Sequence, residues 1–160
     1  MLRSIVPSDT NSLVELTAET EFFKPLELVA LREVFDDFHK ENASLGHLAY
    51  AWVEGERPLG FVYYAEVPMT EGTWSLYWIV VAKDQQGRGL GRQLLDAVEA
   101  DIREHEGRLL LIETSSQDRY EPTRGFYKKR GYAVAAHIAD YYADGDGLVM
   151  YSKRLCFVRS

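Results

Sequence analysis

Val80-Val81-Ala82-Lys83-Asp84-Gln85-Gln86-Gly87-Arg88-Gly89-Leu90-Gly91-Arg92 sets three glycines where an apolar strand passes through a short polar loop into a helix. Upstream, Thr73 to Val81 is rich in β-branched and aromatic residues, as strands are. Downstream, Leu90, Leu94, Leu95, Val98 and Ile102 share one helical stripe. Glycine lets backbone come close to a ligand and tolerates positive φ. The first helical turn offers unpaired N–H groups and about half a unit of positive charge. The combination predicts an anion site, and a pyrophosphate suits such an end. The alternative is that Gly87, Gly89 and Gly91 merely permit a tight turn and close packing. A glycine inside a helix costs ~1 kcal/mol relative to alanine, however, so Gly89 and Gly91 at the start of a strongly periodic helix point to a compensating use.

Two other phosphate motifs fit less well. A P-loop needs lysine and then serine or threonine after its last glycine, whereas Arg92-Gln93 follows Gly91. A dinucleotide fingerprint needs its third glycine one residue later and normally opens a parallel βαβ unit. Here three strands joined by short turns precede the loop, although Glu113 lies where that fold keeps its ribose-binding acid.

Those strands are His47 to Glu54, Pro58 to Glu66 and Thr73 to Val81. Before them, Leu2 to Val6 reads as a short strand and Pro7-Ser8-Asp9 opens a helix through Glu19. Lys24 to His39 is amphipathic, with Leu28, Leu31, Phe35 and Phe38 at spacings of three and four. After the glycine-rich loop and its helix, Arg108 to Thr114 holds four successive aliphatic residues, as expected of a central strand parallel to its predecessor. Pro122 to Arg130 is a helix ended by Gly131. Strands Tyr132 to Ile138 and Leu148 to Leu155 follow, joined by Asp140 to Gly147, which reads as a loop longer than a tight turn and able to overhang a site. There is no internal repeat or linker, and the order β-α-α-β-β-β-α-β-α-β-β predicts one α+β domain over residues 1–160.

The bulk numbers narrow the function classes. A hydrophobic fraction of 46% and a charged fraction of 27% are those of a soluble globular domain, and a formal charge of −7 disfavours nucleic acid as partner. No apolar run approaches the ~20 residues of a membrane span, and the first residues lack the apolar core of a secretory signal, so a cytoplasmic location is expected. Cys156 has no second thiol to join, and packing is its expected role. His39, His47, His105 and His137 are scattered without metal-ligand spacing, so no metal is expected.

Gln86-x-x-Gly89-x-Gly91 resembles the acyl-CoA motif of the GNAT N-acetyltransferases, Q/R-x-x-G-x-G/A, and the element order is similar to theirs over nearly the whole chain. Gly125-Phe126-Tyr127-Lys128-Lys129-Arg130-Gly131-Tyr132 resembles the aromatic pair and glycine-aromatic exit of that superfamily's fourth helix. The resemblance implies a mixed, mostly antiparallel sheet of six to seven strands with about four helices. It implies acetyl-CoA as co-substrate, with no metal, and direct transfer of the acetyl group to an amine in a ternary complex. Ile79, Val80, Val81, Gln86, Gly87, Arg88, Gly89, Leu90, Gly91, Arg92, Tyr120 and Tyr127 then take the positions that contact the coenzyme, and backbone N–H groups near Ile79 to Val81 bond the oxyanion. Tyr127 takes the place of the tyrosine that protonates the departing thiolate. A homodimer is compatible with the resemblance, and the natural acyl group is acetyl or longer.

The chain departs from that pattern in three places. Tyr120 and Thr123 stand where many relatives carry asparagine and alanine, and Ser75 stands where some carry a glutamate base on the fourth strand. Serine cannot take that role, which favours a rival reading as a non-catalytic acyl-CoA sensor or interaction module. Candidates for the base are Glu113, Glu66, Asp140, or a water near Ser75 and Tyr77. Trp74, Leu76, Trp78 and Val80 alternate with Ser75, Tyr77 and Ile79, the period of a strand packed on one face. Tyr141 and Tyr142 beside Asp144 and Asp146 fit either the wall of a pocket for a cation or an ordinary solvated loop.

Overall fold

The computed structural model describes residues 1–155. Cys156, expected to pack, lies outside the described residues. Strands β1 (Leu2–Ser4), β2 (Leu48–Glu54), β3 (Arg57–Glu66), β4 (Thr73–Val81), β5 (Leu109–Ser115), β6 (Ala133–Ala143) and β7 (Asp146–Arg154) form one mixed sheet in the order β1-β2-β3-β4-β5-β7-β6. The helices are α1 (Thr10–Glu19), α2 (Pro25–Asp37), α3 (Leu90–Glu104) and α4 (Glu121–Lys129). Element order and the parallel β4–β5 pair agree with the sequence reading, and a mixed, mostly antiparallel seven-stranded sheet with four helices is as the resemblance implies.

The chain divides into two compact units: Met1–Ala65 with Trp78–Ala100, and Glu66–Tyr77 with the chain from Asp101 on. In the first, the apolar stripes of α1 (Leu13, Leu16) and α2 (Leu31, Phe35) are buried with Ala49, Ala51, Val53, Phe61, Tyr63 and Val80. The Phe35 and Phe61 rings meet edge to face at 5.3 Å. Local chemistry fixes the helix starts. The Asp9 carboxylate accepts from the Val6 N–H at 2.8 Å, and the Glu27 carboxylate from the Lys24 N–H at 3.1 Å just ahead of Pro25. The α2 helix does not stop at His39: residues Phe38–Asn42 continue it as a π turn closed by the Ala43 N–H on the Phe38 carbonyl at 2.9 Å.

In the second unit β5 pairs with β4 in parallel from Thr73↔Leu109 to Leu76↔Ile112, and with β7 antiparallel from Leu109↔Arg154 to Ser115↔Leu148. The connection expected from Asp140 to Gly147 is instead mostly strand. β6 runs to Ala143, only Asp144 and Gly145 form the turn, and β7 starts at Asp146. The polar residues that read as a loop are absorbed by an irregularity in register between Ile138 and Ala143. There Asp140 takes a left-handed φ of 58° and its Oδ1 accepts from the Gly145 N–H at 2.7 Å.

Candidate active site

In the first unit the end of β4 is fixed before the glycine-rich loop begins. The Ala82 N–H donates to the Leu59 carbonyl at 2.8 Å, and Gln86 Nε2 donates back to the Val81 carbonyl at 3.2 Å. Arg57 grips both Asp84 oxygens at 2.7 and 2.6 Å, and Lys83 reaches Glu21 at 3.3 Å. These exposed pairs add register more than energy. Gly60 on β3 lies so close that a Cβ there would come 2.7 Å from the Val80 carbonyl oxygen and 3.1 Å from Leu94 Cδ1. Because the nearer atom belongs to the backbone, overpacking of about 1–3 kcal/mol is expected for Gly60→Ala. At about 2–4 °C per kcal/mol, thermal denaturation should show a melting point lower by roughly 2–12 °C. An unchanged melting point would mean that the β3–β4 contact is slack.

Past Gln86 the backbone turns twice into the left-handed region, at Gly87 (φ 80°) and Gly89 (φ 84°). A Cβ built at either position meets nothing within 4 Å, so no protein atom crowds either glycine on that side. The first bond of α3 runs from the Gln93 N–H to the Gly89 carbonyl at 3.1 Å. Leu90, Gly91 and Arg92 therefore form the turn whose N–H groups the helix leaves unused. Among the described residues no protein acceptor is found for the N–H groups of Gly87 to Arg92. Leu90 is buried and pins the helix start, while Arg88 and Arg92 are exposed, Arg92 with Asp96 at 3.8 Å. Free donors, a helix dipole and an open cradle fit a diphosphate well. Ile79 and Val81 are half-buried, and the Val80 side chain belongs to the core, which leaves its backbone as the part able to meet a ligand.

The second unit carries the other candidates. The Arg124 guanidinium on α4 donates to the carbonyls of Ser115 and Gln117 at 2.6 and 2.9 Å, tying the helix to the end of β5. Tyr127, one turn further, is 4% exposed among Phe126, Tyr132 and Tyr151, with ring centroids at 5.4, 5.9 and 6.1 Å. Burial pushes its hydroxyl above the ordinary tyrosine value, which keeps it neutral. Among the described residues that hydroxyl has no hydrogen-bond partner. Tyr120 precedes α4, half-buried, with the Arg119 guanidinium 5.4 Å from its ring.

Glu113 is exposed on β5 and paired with Met150. Its neighbour Ile112 pairs with Tyr151, whose ring meets Tyr127. Strand alternation therefore puts Glu113 on one face of this part of the sheet and Tyr127 against the other. Ser75, half-buried, pairs with Leu111 and shares the Glu113 face; the ladder between β4 and β5 ends one residue later. Glu66 is exposed at the end of β3, and Asp140 is exposed with its carboxylate turned to Gly145. Sequence reasoning placed Asp146 in a loop, yet it opens β7, is 7% exposed, and accepts a hydrogen bond from Ser115 Oγ. The dipeptide Asp144-Gly145, a strong two-residue hairpin signal, was the cue that could have located it.

Among the described residues no group of three His, Cys, Asp or Glu side chains is arranged to hold a metal, and no helix is long and apolar enough to cross a membrane.

No curated protein matches the sequence. In fold the chain is similar to the ribosomal-protein-S18-alanine N-acetyltransferase of Escherichia coli, at 16% identity over 100% of this chain and 96% of that one, with a TM-score of 0.80. It is also similar in fold to an aminoglycoside 6′-N-acetyltransferase crystallised with coenzyme A, at 16% identity over 100% and 99%, with a TM-score of 0.76. Likeness to a GNAT-family protein of Desulfovibrio desulfuricans extends to sequence: 35% identity over 98% of this chain and 99% of that one, with a TM-score of 0.93. Residues 11–132 match the model of the acetyltransferase (GNAT) family, so the chain belongs to that family.

Proposed function

We propose that this protein is an acyl-CoA-dependent N-acetyltransferase that moves the acetyl group of acetyl-CoA directly to a primary amine, of a small molecule or of a peptide or protein, within a ternary complex. The observation that carries the proposal is the cradle at Gln86 to Arg92, with two left-handed glycines, open space at both, and N–H groups without protein acceptors. Coenzyme A in the structurally similar aminoglycoside enzyme supports it. The co-substrate supplies a thioester carbonyl open to attack, and no metal is called for. We place the reaction in the cytoplasm, with one domain as the functional unit and a homodimer as a compatible assembly.

An alkyl amine with a pKa near ~10.4 must lose a proton before it attacks, at a cost of about 4–5 kcal/mol at pH 7. Glu113, exposed and ionisable, is the carboxylate assigned to receive it, directly or through water. Backbone N–H groups of Ile79 to Val81 are assigned to the developing oxyanion, where preorganised donors act most strongly. Tyr127 is assigned to the departing sulfur. With a thiol pKa near ~8.5 against a tyrosine value above ~10, full proton transfer is uphill by at least about 2 kcal/mol, so a hydrogen bond from the neutral hydroxyl is its main contribution.

One observation favours a second reading: the fourth strand offers Ser75 where some relatives keep a basic glutamate. A sensor built on this fold binds acetyl-CoA without turnover. Thiol release from acetyl-CoA with a panel of amines, run beside calorimetry with the coenzyme alone, separates the two. Binding with amine-dependent thiol release is expected, and binding with none across the panel would establish the sensor.

A further inference from the structure

Helix α4, which carries Tyr127, is nine residues long, begins at Tyr120 without a side-chain cap, and has Gly125 in its interior, which weakens a helix. Arg124 fastens it. The Arg124 Nη1 donates to the Ser115 carbonyl at 2.6 Å and to the Gln117 carbonyl at 2.9 Å. No carboxylate pairs with Arg124 among the described residues, so these carbonyls are what holds the guanidinium, through charge-assisted bonds.

The sheet explains why the end of β5 needs such a donor. The β4–β5 ladder stops at Leu76↔Ile112, three residues before Ser115. On the other side Ser115 stands opposite Leu148 of β7, and the Ser116 N–H donates to the Gly147 carbonyl at 2.8 Å. Successive residues of an antiparallel pair turn their polar groups to alternate sides, so the Ser115 carbonyl points away from β7, to the side β4 has left. Arg124 takes that acceptor. The corner it grips is held independently, with the Gln117 N–H on Ser115 Oγ at 3.1 Å and the Gly147 N–H on Ser116 Oγ at 2.8 Å.

Arg124 and Tyr127 lie three residues apart on α4, on one helix face. The Tyr127 ring lies 6.1 Å from that of Tyr151. Burial pushes the Tyr151 hydroxyl up, and the Arg124 charge opposes that push. The Tyr127 hydroxyl has no hydrogen-bond partner among the described residues, so ring packing and the seat of α4 alone decide where its oxygen lies.

We propose that Arg124 is a positioning residue: by clasping the Ser115 and Gln117 carbonyls it seats α4 so that the Tyr127 hydroxyl meets the departing sulfur. This rests on the transferase reading and on the role assigned to Tyr127. A clasp that only docked the helix would affect stability and leave the aim of the hydroxyl unchanged.

Steady-state kinetics on the unmodified protein, Arg124→Met, Tyr127→Phe and the double variant separate the two roles. Arg124→Met should lower kcat by ~10- to 100-fold, the scale of a ~1 Å misplacement, with KM and coenzyme A affinity within about 2-fold. On the Tyr127→Phe background the same change should lower kcat by less than about 2-fold, because the donor being aimed is gone. Arg124→Lys keeps the charge without the planar fork and should give a smaller loss; it carries the same comparison if the methionine variant fails to fold. An unchanged kcat in Arg124→Met, or equal losses on both backgrounds, overturns the proposal. Crystal structures of the unmodified and Arg124→Met proteins with coenzyme A give a reading without turnover. The Tyr127 oxygen should move by ~1 Å, and an oxygen left in place overturns the proposal whatever the kinetics. A displaced oxygen in a protein that releases no thiol with any amine refutes transfer and keeps the hold of Arg124 on Tyr127; an active protein whose oxygen stays in place does the reverse.

Discussion

Gly89→Glu is expected to weaken coenzyme A binding by about 1,000-fold or more while leaving the protein folded. Gly89 has a φ of 84°, which costs an L-residue on the order of 1–2 kcal/mol, and its side-chain direction leads into open space rather than into protein. A glutamate there brings a carboxylate next to the N–H groups of Gly87 to Arg92, in competition with a bound diphosphate. Two unit charges about 4 Å apart at an effective dielectric of 20 repel by about 4 kcal/mol, close to three decades in affinity. The same carboxylate sits favourably at the start of α3, which offsets part of the backbone strain. Loss of binding should therefore come with only a small fall in melting point. Gly89→Ala is the control, since it carries the strain without the charge. Calorimetry reporting wild-type affinity for the glutamate variant would mean that the diphosphate lies elsewhere.

Tyr127→Phe should lower turnover by ~10- to 1,000-fold with coenzyme affinity unchanged, since only a donor to the leaving sulfur is removed. The structure makes this substitution clean. The ring stays packed among Phe126, Tyr132 and Tyr151, and the hydroxyl has no partner among the described residues to be orphaned. Burial raises the Tyr127 value, so the folded protein keeps that proton above pH 10 where an unfolded tyrosine loses it. Stability falls as pH rises past 10, and Tyr127→Phe should flatten that decline. Below pH 10 the hydroxyl stays neutral, so the basic limb of the rate profile should be the same in both proteins apart from its height. Unchanged turnover would remove Tyr127 from the chemistry.

The strand-loop-helix at Val80 to Arg92 was readable because each of its parts has a local cause: β-branched residues, left-handed glycines and a periodic stripe. Tyr127 was found only through the resemblance, since a tyrosine on an amphipathic helix carries no mark of its own. The β6–β7 hairpin was misread because the aspartates and glycines of Asp140 to Gly147 have loop character, while pairing between strands decides where polar residues become strand. The Asp144-Gly145 dipeptide could have placed Asp146 at the start of a strand, but not its burial. That burial comes from Ser115, 31 residues away in sequence, a contact that no local pattern encodes.

A crystal structure with coenzyme A bound would examine the cradle most directly. Diphosphate oxygens should lie within hydrogen-bonding distance, about 2.7–3.2 Å, of backbone nitrogens between Gly87 and Arg92. A diphosphate bound away from that turn, or a turn presenting its carbonyl oxygens to the ligand, would contradict the assignment.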